Sequence, residues 1–120
     1  MKSSRPVLVV DDDPFILEFL KAVLEASGYP VMTASDGREA LQRLESSRPG
    51  LILLDMAMPV LDGVGFLQEM RRIPDWNAPV VVMTAMDDAR RLARDLGTEG
   101  WLQKPFDLDA LLDVVQQLTR

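Results

Sequence analysis

The apolar positions of this chain fall in short unbroken runs: Val7-Leu8-Val9-Val10, Leu51-Ile52-Leu53-Leu54 and Val80-Val81-Val82-Met83. Runs of this length, bounded by turn-forming residues, read as strands buried on both faces, as in parallel sheets. Residues 30–34 and Trp101-Leu102-Gln103 read as two shorter strands. Between the strands, apolar residues return at helical spacing. Over residues 14–27, Glu18, Lys21 and Glu25 share one narrow polar strip, and Gly28 stops the helix. Phe15, Phe19, Ala22 and Ala26 edge an apolar arc wider than one sheet face needs, so part of that edge is expected at the surface.

Residues 38–47 put Ala40, Leu41 and Leu44 on one face. Pro59 and Gly63 bracket a loop, and residues 64–72 turn Phe66, Leu67 and Met70 inward. Residues 74–79 form a connector. Residues 87–96 expose Arg90, Arg91 and Arg94 before Gly97 closes the helix. After Asp107 a last helix points Leu108, Leu111, Leu112, Val115 and Leu118 inward. Strand and helix alternate five times, which predicts an α/β fold: a single doubly wound (βα)5 domain, its parallel sheet covered by helices on both faces.

Composition narrows the chemistry. With 120 residues there is room for one domain, and the chain has neither Cys nor His. Thiolate and imidazole chemistry are therefore absent, and any metal should be a hard cation with oxygen ligands. A net charge of −6 argues against direct nucleic-acid binding. No apolar run approaches membrane-spanning length, and no signal-peptide core precedes the first strand, so a cytoplasmic location is expected.

The strand ends carry the candidate chemistry. In a parallel sheet all C-terminal strand ends share one edge, where open α/β folds bind ligands. The first strand delivers Asp11 and Asp12 to that edge. The third brings Asp55, the fourth Thr84 and the fifth Lys104. Asp13-Pro14 has a simpler role as a helix start, the Asp capping and the Pro fitting the first turn. Three converging carboxylates need a cation to stay ionised, and an oxygen-only set suits Mg²⁺. A carboxylate nucleophile, a metal, a Lys charge and a hydroxyl donor together suggest phosphoryl transfer.

The chain resembles the receiver domains of two-component response regulators along nearly its whole length. The resemblance rests on Asp11-Asp12 after a Val-rich strand and on Asp55 in Asp-x-x-Met-Pro-x-Leu-Asp-Gly. It rests equally on Thr84-Ala85 and on Lys104-Pro105-Phe106 behind an aromatic at Trp101, where Tyr or Phe is more usual. It implies sheet order 2-1-3-4-5. It also implies that Asp55 accepts a phosphoryl group from a phosphohistidine on a sensor histidine kinase or histidine phosphotransfer protein. Asp12, Asp55 and the Ala57 carbonyl would hold Mg²⁺, with Asp11 acting through water. Lys104 would pair with the phosphoryl oxygens, and Thr84 and Trp101 would form a switch altering the face built by the fourth helix, fifth strand and fifth helix. That face would control an effector or partner, and a phosphorylation-dependent homodimer is a further expected assembly.

Two other readings compete. A haloacid-dehalogenase-like phosphatase also pairs an Asp nucleophile with Mg²⁺, but Phe15 stands where its Asp-x-Asp-x-Thr motif needs Thr. A degenerate receiver acting only as a binding module is disfavoured, because no expected acid, hydroxyl or Lys is missing. The chain ends just after the fifth helix, so no output domain is expected within it.

Overall fold

Each apolar run becomes a strand: β1 (Val7–Val10), β2 (Val31–Ala34), β3 (Leu51–Asp55), β4 (Val80–Thr84) and β5 (Gly100–Gln103). The computed structural model describes residues 5–58 and 60–119; Pro59, expected at the loop after β3, lies outside them. The strands form one parallel sheet of order β2-β1-β3-β4-β5. Between and after them run α1 (Pro14–Ala26), α2 (Gly37–Ser46), α3 (Gly63–Met70), α4 (Ala89–Leu96) and α5 (Leu108–Leu118).

The unbroken runs are explained by what lies on each side. Val7, Val9, Leu51, Leu53, Val81 and Met83 pack with Leu20 and Leu24 of α1 and Leu111 and Val115 of α5. The alternate residues Leu8, Val10, Ile52, Leu54 and Val80 pack with Ala40 and Leu44 of α2 and Phe66, Leu67 and Met70 of α3. β1, β3 and β4 are buried at every position, so no strand position is left for a polar residue until the strand ends. β5, at the sheet edge, alternates, burying Gly100 and Leu102 while Trp101 is exposed.

All five helices described start on an Asp cap. Asp13, Asp36, Asp62, Asp88 and Asp107 each accept a backbone amide from the first turn of their helix, at 2.7–3.1 Å. Such a cap satisfies an amide that has no partner within the helix. Two expected boundaries move as a result. The Ser35-Asp36-Gly37 turn becomes the start of α2, reinforced by Glu39 accepting from the Ser35 amide at 2.6 Å. α4 begins at Ala89 because Asp88, rather than Asp87, supplies its cap.

The inward set expected for α5 needs one correction. Leu111 and Val115 are buried and Leu112 and Leu118 pack beside them, but Leu108 is 46% exposed. It occupies the first position of the helix. On α1 the edge expected at the surface is there: Phe15 is 80% exposed, Phe19 56%, and Ala22 and Ala26 are exposed.

Two glycines let the loop after β3 lie close to its neighbours. A Cβ on Gly63 would come within 2.9 Å of the Met56 Cα, and the Gly63 amide donates to the Met56 carbonyl. The Gly37 amide donates to the Leu61 carbonyl at 3.1 Å, where a side chain would collide. The loop that follows Asp55 is thus tied to the starts of both α3 and α2.

Candidate functional site

Asp11 continues β1 by one residue, its amide donating to the Ala34 carbonyl of β2 at 3.1 Å. Its side chain is fully buried. Oδ1 accepts from the Asp13 amide at 2.9 Å and Oδ2 from Lys104 Nζ at 2.8 Å, so both oxygens are engaged. Asp55 ends β3 and is 5% exposed. Its Oδ1 receives Lys104 Nζ at 3.4 Å and the Ala57 amide at 3.5 Å. No described group donates to Asp55 Oδ2, and no buried side-chain nitrogen or oxygen lacks a partner among the described residues. That oxygen therefore keeps some access to solvent. Asp12 is exposed, and one carboxylate oxygen from each of Asp11, Asp12 and Asp55 lies within 4.8 Å of the others.

Burial pushes the Asp55 carboxyl above its ordinary pKa, and the Asp11 charge adds to the rise; Lys104 and the Ala57 amide oppose it without cancelling it. For Lys104 burial acts downward, but the hydrogen bond and charge of Asp11, helped by Asp55, carry its pKa above the usual lysine value. One ammonium among three carboxylates leaves the cluster with excess negative charge. An oxygen-only donor set with that excess fits a hard divalent cation such as Mg²⁺.

Lys104 is aimed by the backbone. Its amide donates to the Thr84 carbonyl at 2.7 Å, extending the β4–β5 ladder past the last register pair, Thr84 with Gln103. Thr84 is 5% exposed, and its Oγ1 accepts from the Met86 amide at 3.1 Å. Trp101 pairs with Val82, so it shares a sheet face with Thr84, two residues further from the site. Trp101 is 44% exposed at the sheet edge, lining an open groove that also reaches Pro105, Phe106 and Ala110, and does not join the acid cluster. Ala57, Ala85 and Met86 flank the site, exposed and without polar side chains.

Sequence reasoning missed two features. Gln103 turns its amide to the β4–α4 loop, accepting from the Ala89 amide at 3.3 Å and donating to the Met86 carbonyl. An amide side chain one position before Lys104, at the end of an edge strand, was the available signal. Val60 has φ of 69°, a left-handed conformation that a β-branched residue resists. Nothing in a Pro-Val-Leu-Asp-Gly string announces it.

Residues 7–116 match the family of response regulator receiver domains. The chain belongs to that family. It is 43% identical over 120 residues to the transcriptional regulatory protein PrrA of Mycobacterium leprae, covering 98% of this chain and 51% of that one. It is 41% identical over 116 residues to the response regulator MprA of Mycolicibacterium vanbaalenii, covering 95% and 50%. It spans about half the length of these curated relatives. A chemotaxis protein of Vibrio cholerae superposes with a TM-score of 0.87 at 33% identity, covering 97% and 99% of the two chains. The response regulator TrrA of Thermotoga maritima, solved with Mg²⁺ and BeF, gives 0.83 at 33% identity over 95% and 98%.

Receiver domains bind Mg²⁺ in an acidic pocket, and response regulators work with sensor histidine kinases and effectors. The receiver fold expected from the sequence is present, with sheet order 2-1-3-4-5. Neither the phosphatase reading nor the degenerate-receiver reading gains support. Among the described residues no helix is long and apolar enough to cross a membrane.

Proposed function

We propose that Asp55 is the phosphoacceptor of this receiver, taking a phosphoryl group from the phosphohistidine of a cytoplasmic sensor kinase or phosphotransfer protein. The observation that carries the assignment is the difference between the two inner carboxylates. Asp11 has both oxygens committed, whereas Asp55 has Oδ1 held by Lys104 and the Ala57 amide and Oδ2 with no described donor. Oδ2 is the nucleophile. It attacks phosphorus as the P–N bond breaks, and the imidazole leaves with the bonding pair. Lys104, already 3.4 Å from Asp55, holds the phosphoryl oxygens once the new acyl phosphate, a mixed anhydride, removes the carboxylate charge.

Asp12, Asp55 and the Ala57 carbonyl are the proposed Mg²⁺ ligands, with Asp11 linked through water. When bound there, the ion would supply positive charge against the three carboxylates and the transferring oxygens. The Thr84 hydroxyl donates to a phosphoryl oxygen in the activated state, and Trp101 reports the change to the α4–β5–α5 face, where an effector or a second copy docks. The acceptor assignment is tested with acetyl phosphate and Mg²⁺, which should add one hydroxylamine-labile phosphoryl group. Mass spectrometry showing the adduct intact in Asp55→Asn would overturn it.

A further inference from the structure

The loop between β4 and α4, residues 85–88, joins the Thr84 hydroxyl to the first turn of α4, and β5 holds it from the side. At its start the Met86 amide donates to Thr84 Oγ1 at 3.1 Å. The Met86 carbonyl in turn accepts from Gln103 Nε2, and Gln103 Oε1 accepts from the Ala89 amide, the first of α4, at 3.3 Å. One planar amide thus clasps both ends of the loop, donating to a carbonyl and accepting from an N–H; neither an ammonium nor a carboxylate does both. The backbone of Gln103 is itself fixed, paired with Thr84 in the ladder and followed by the Lys104 amide on the Thr84 carbonyl.

We propose that Gln103 is a positioning residue that keeps this loop and the start of α4 in the resting arrangement, and so sets how readily Thr84 turns toward a phosphoryl group. The proposal rests on the reading of Asp55 as acceptor. If Thr84 Oγ1 moves toward Asp55, the Met86 amide either loses its acceptor or follows it. Following pulls the Met86 carbonyl and the Ala89 amide away from Gln103. Each route gives up at least one hydrogen bond, which corresponds to about three- to tenfold in an equilibrium constant.

Two variants and two measurements decide it. Gln103→Leu keeps the volume and removes both bonds, while Gln103→Glu keeps the acceptor for Ala89 and loses the donor to Met86. Hydrogen exchange at the Ala89 amide in the resting protein should quicken in the Leu variant and stay close to wild type in the Glu variant. Unchanged exchange in Gln103→Leu overturns the clasp. With Mg²⁺ present, Gln103→Leu should bind beryllofluoride about three- to tenfold more tightly than wild type, and the gain should vanish in a Thr84→Ala background. An affinity within about twofold of wild type, or a gain that survives loss of the Thr84 hydroxyl, overturns the switching role. Binding equally strong in Asp55→Asn would instead overturn the acceptor assignment, and the switching role with it, while the exchange data still judge the clasp.

Discussion

Lys104 Nζ lies 2.8 Å from Asp11 Oδ2, nearer than to any other carboxylate at the site, although the two residues are 93 positions apart in sequence. The pair ties the end of β5 to the end of β1 across the two strands between them. Asp11 is fully buried, so replacing Lys104 by Met leaves a buried carboxylate without its counter-ion. We expect a loss of roughly 3 kcal/mol in unfolding free energy, read by urea titration at pH 7. The same contact predicts alkaline weakening. Lys104 holds its proton more tightly folded than unfolded, so its stabilisation is complete below the unfolded value near 10.5 and is lost as pH rises through the higher folded value. Lys104→Met should lack that alkaline component; an identical slope in both proteins would place its origin elsewhere.

Asp55 costs stability at neutral pH where Lys104 supplies it, although both groups lose stability as pH rises. Burial and the Asp11 charge raise its pKa, so the folded chain binds its proton more strongly than the unfolded one. Stability is therefore lost as pH rises from the unfolded value near 3.8 through the raised folded value, and the penalty persists at neutral pH. Without divalent metal, Asp55→Asn should be more stable than wild type by about 1 kcal/mol at pH 7, with the advantage shrinking on acidification. Parallel melting curves at pH 7 and pH 4 check both the sign and the trend.

Metal should remove much of that penalty. Added Mg²⁺ should raise the melting temperature of wild type and shift the NMR signals of Asp11, Asp12 and Asp55. Asp12→Ala should weaken the apparent affinity by at least about tenfold. Full-strength binding in the variant would put the ion at a different set of oxygens.

Trp101 is 44% exposed in the structure, whereas Trp76 is partly buried and donates its indole N–H to the Ala78 carbonyl at 3.1 Å. In a Trp76→Phe background the remaining emission should be that of a solvated indole. Beryllofluoride should shift it to shorter wavelength as Trp101 moves inward, and Thr84→Ala should abolish the shift. A spectrum that responds equally without the Thr84 hydroxyl would separate the two residues functionally.

The exposed edge of α1 begins at Phe15, two residues after the cap at Asp13 and beside the acid cluster. Phe15, at 80% exposure, contributes little to the core, so Phe15→Ala should leave stability within about 0.5 kcal/mol. Transfer from a phosphohistidine protein should slow by roughly fivefold or more, while transfer from acetyl phosphate stays unchanged. Equal slowing with both donors would show that the ring acts on the site itself.

The strand runs and the four charged residues at their ends were legible because burial on both faces leaves a parallel strand no polar position until it emerges. Asp55 after Leu51-Ile52-Leu53-Leu54 is the clearest case. What the sequence left ambiguous was local competition between equals: Asp87 and Asp88 are equally good caps, and only the packed position of α4 selects the second. Leu108 fits the inward stripe by spacing, yet the stripe carries no information about where the sheet stops covering it. Gln103 and the left-handed Val60 depend on loop geometry, which no periodicity encodes. The Asp55 distinction from Asp11 also needed coordinates, since it lies in which oxygens already have donors.

The aspartate caps have a consequence for the molecule as an electrical object. Because every helix follows a strand of one parallel sheet, all five capped ends lie at the same edge as Asp11, Asp12 and Asp55. Eight of the nineteen acidic residues are thereby gathered at one pole of the domain. Beyond the reach of any single contact, that pole draws in divalent cations and turns away small phosphate anions. Its influence fades over roughly 10 Å at 0.1 M salt. Raising ionic strength should then weaken Mg²⁺ capture while speeding the arrival of acetyl phosphate. A protein donor that brings its own positive rim would meet the reverse: an attraction that salt takes away.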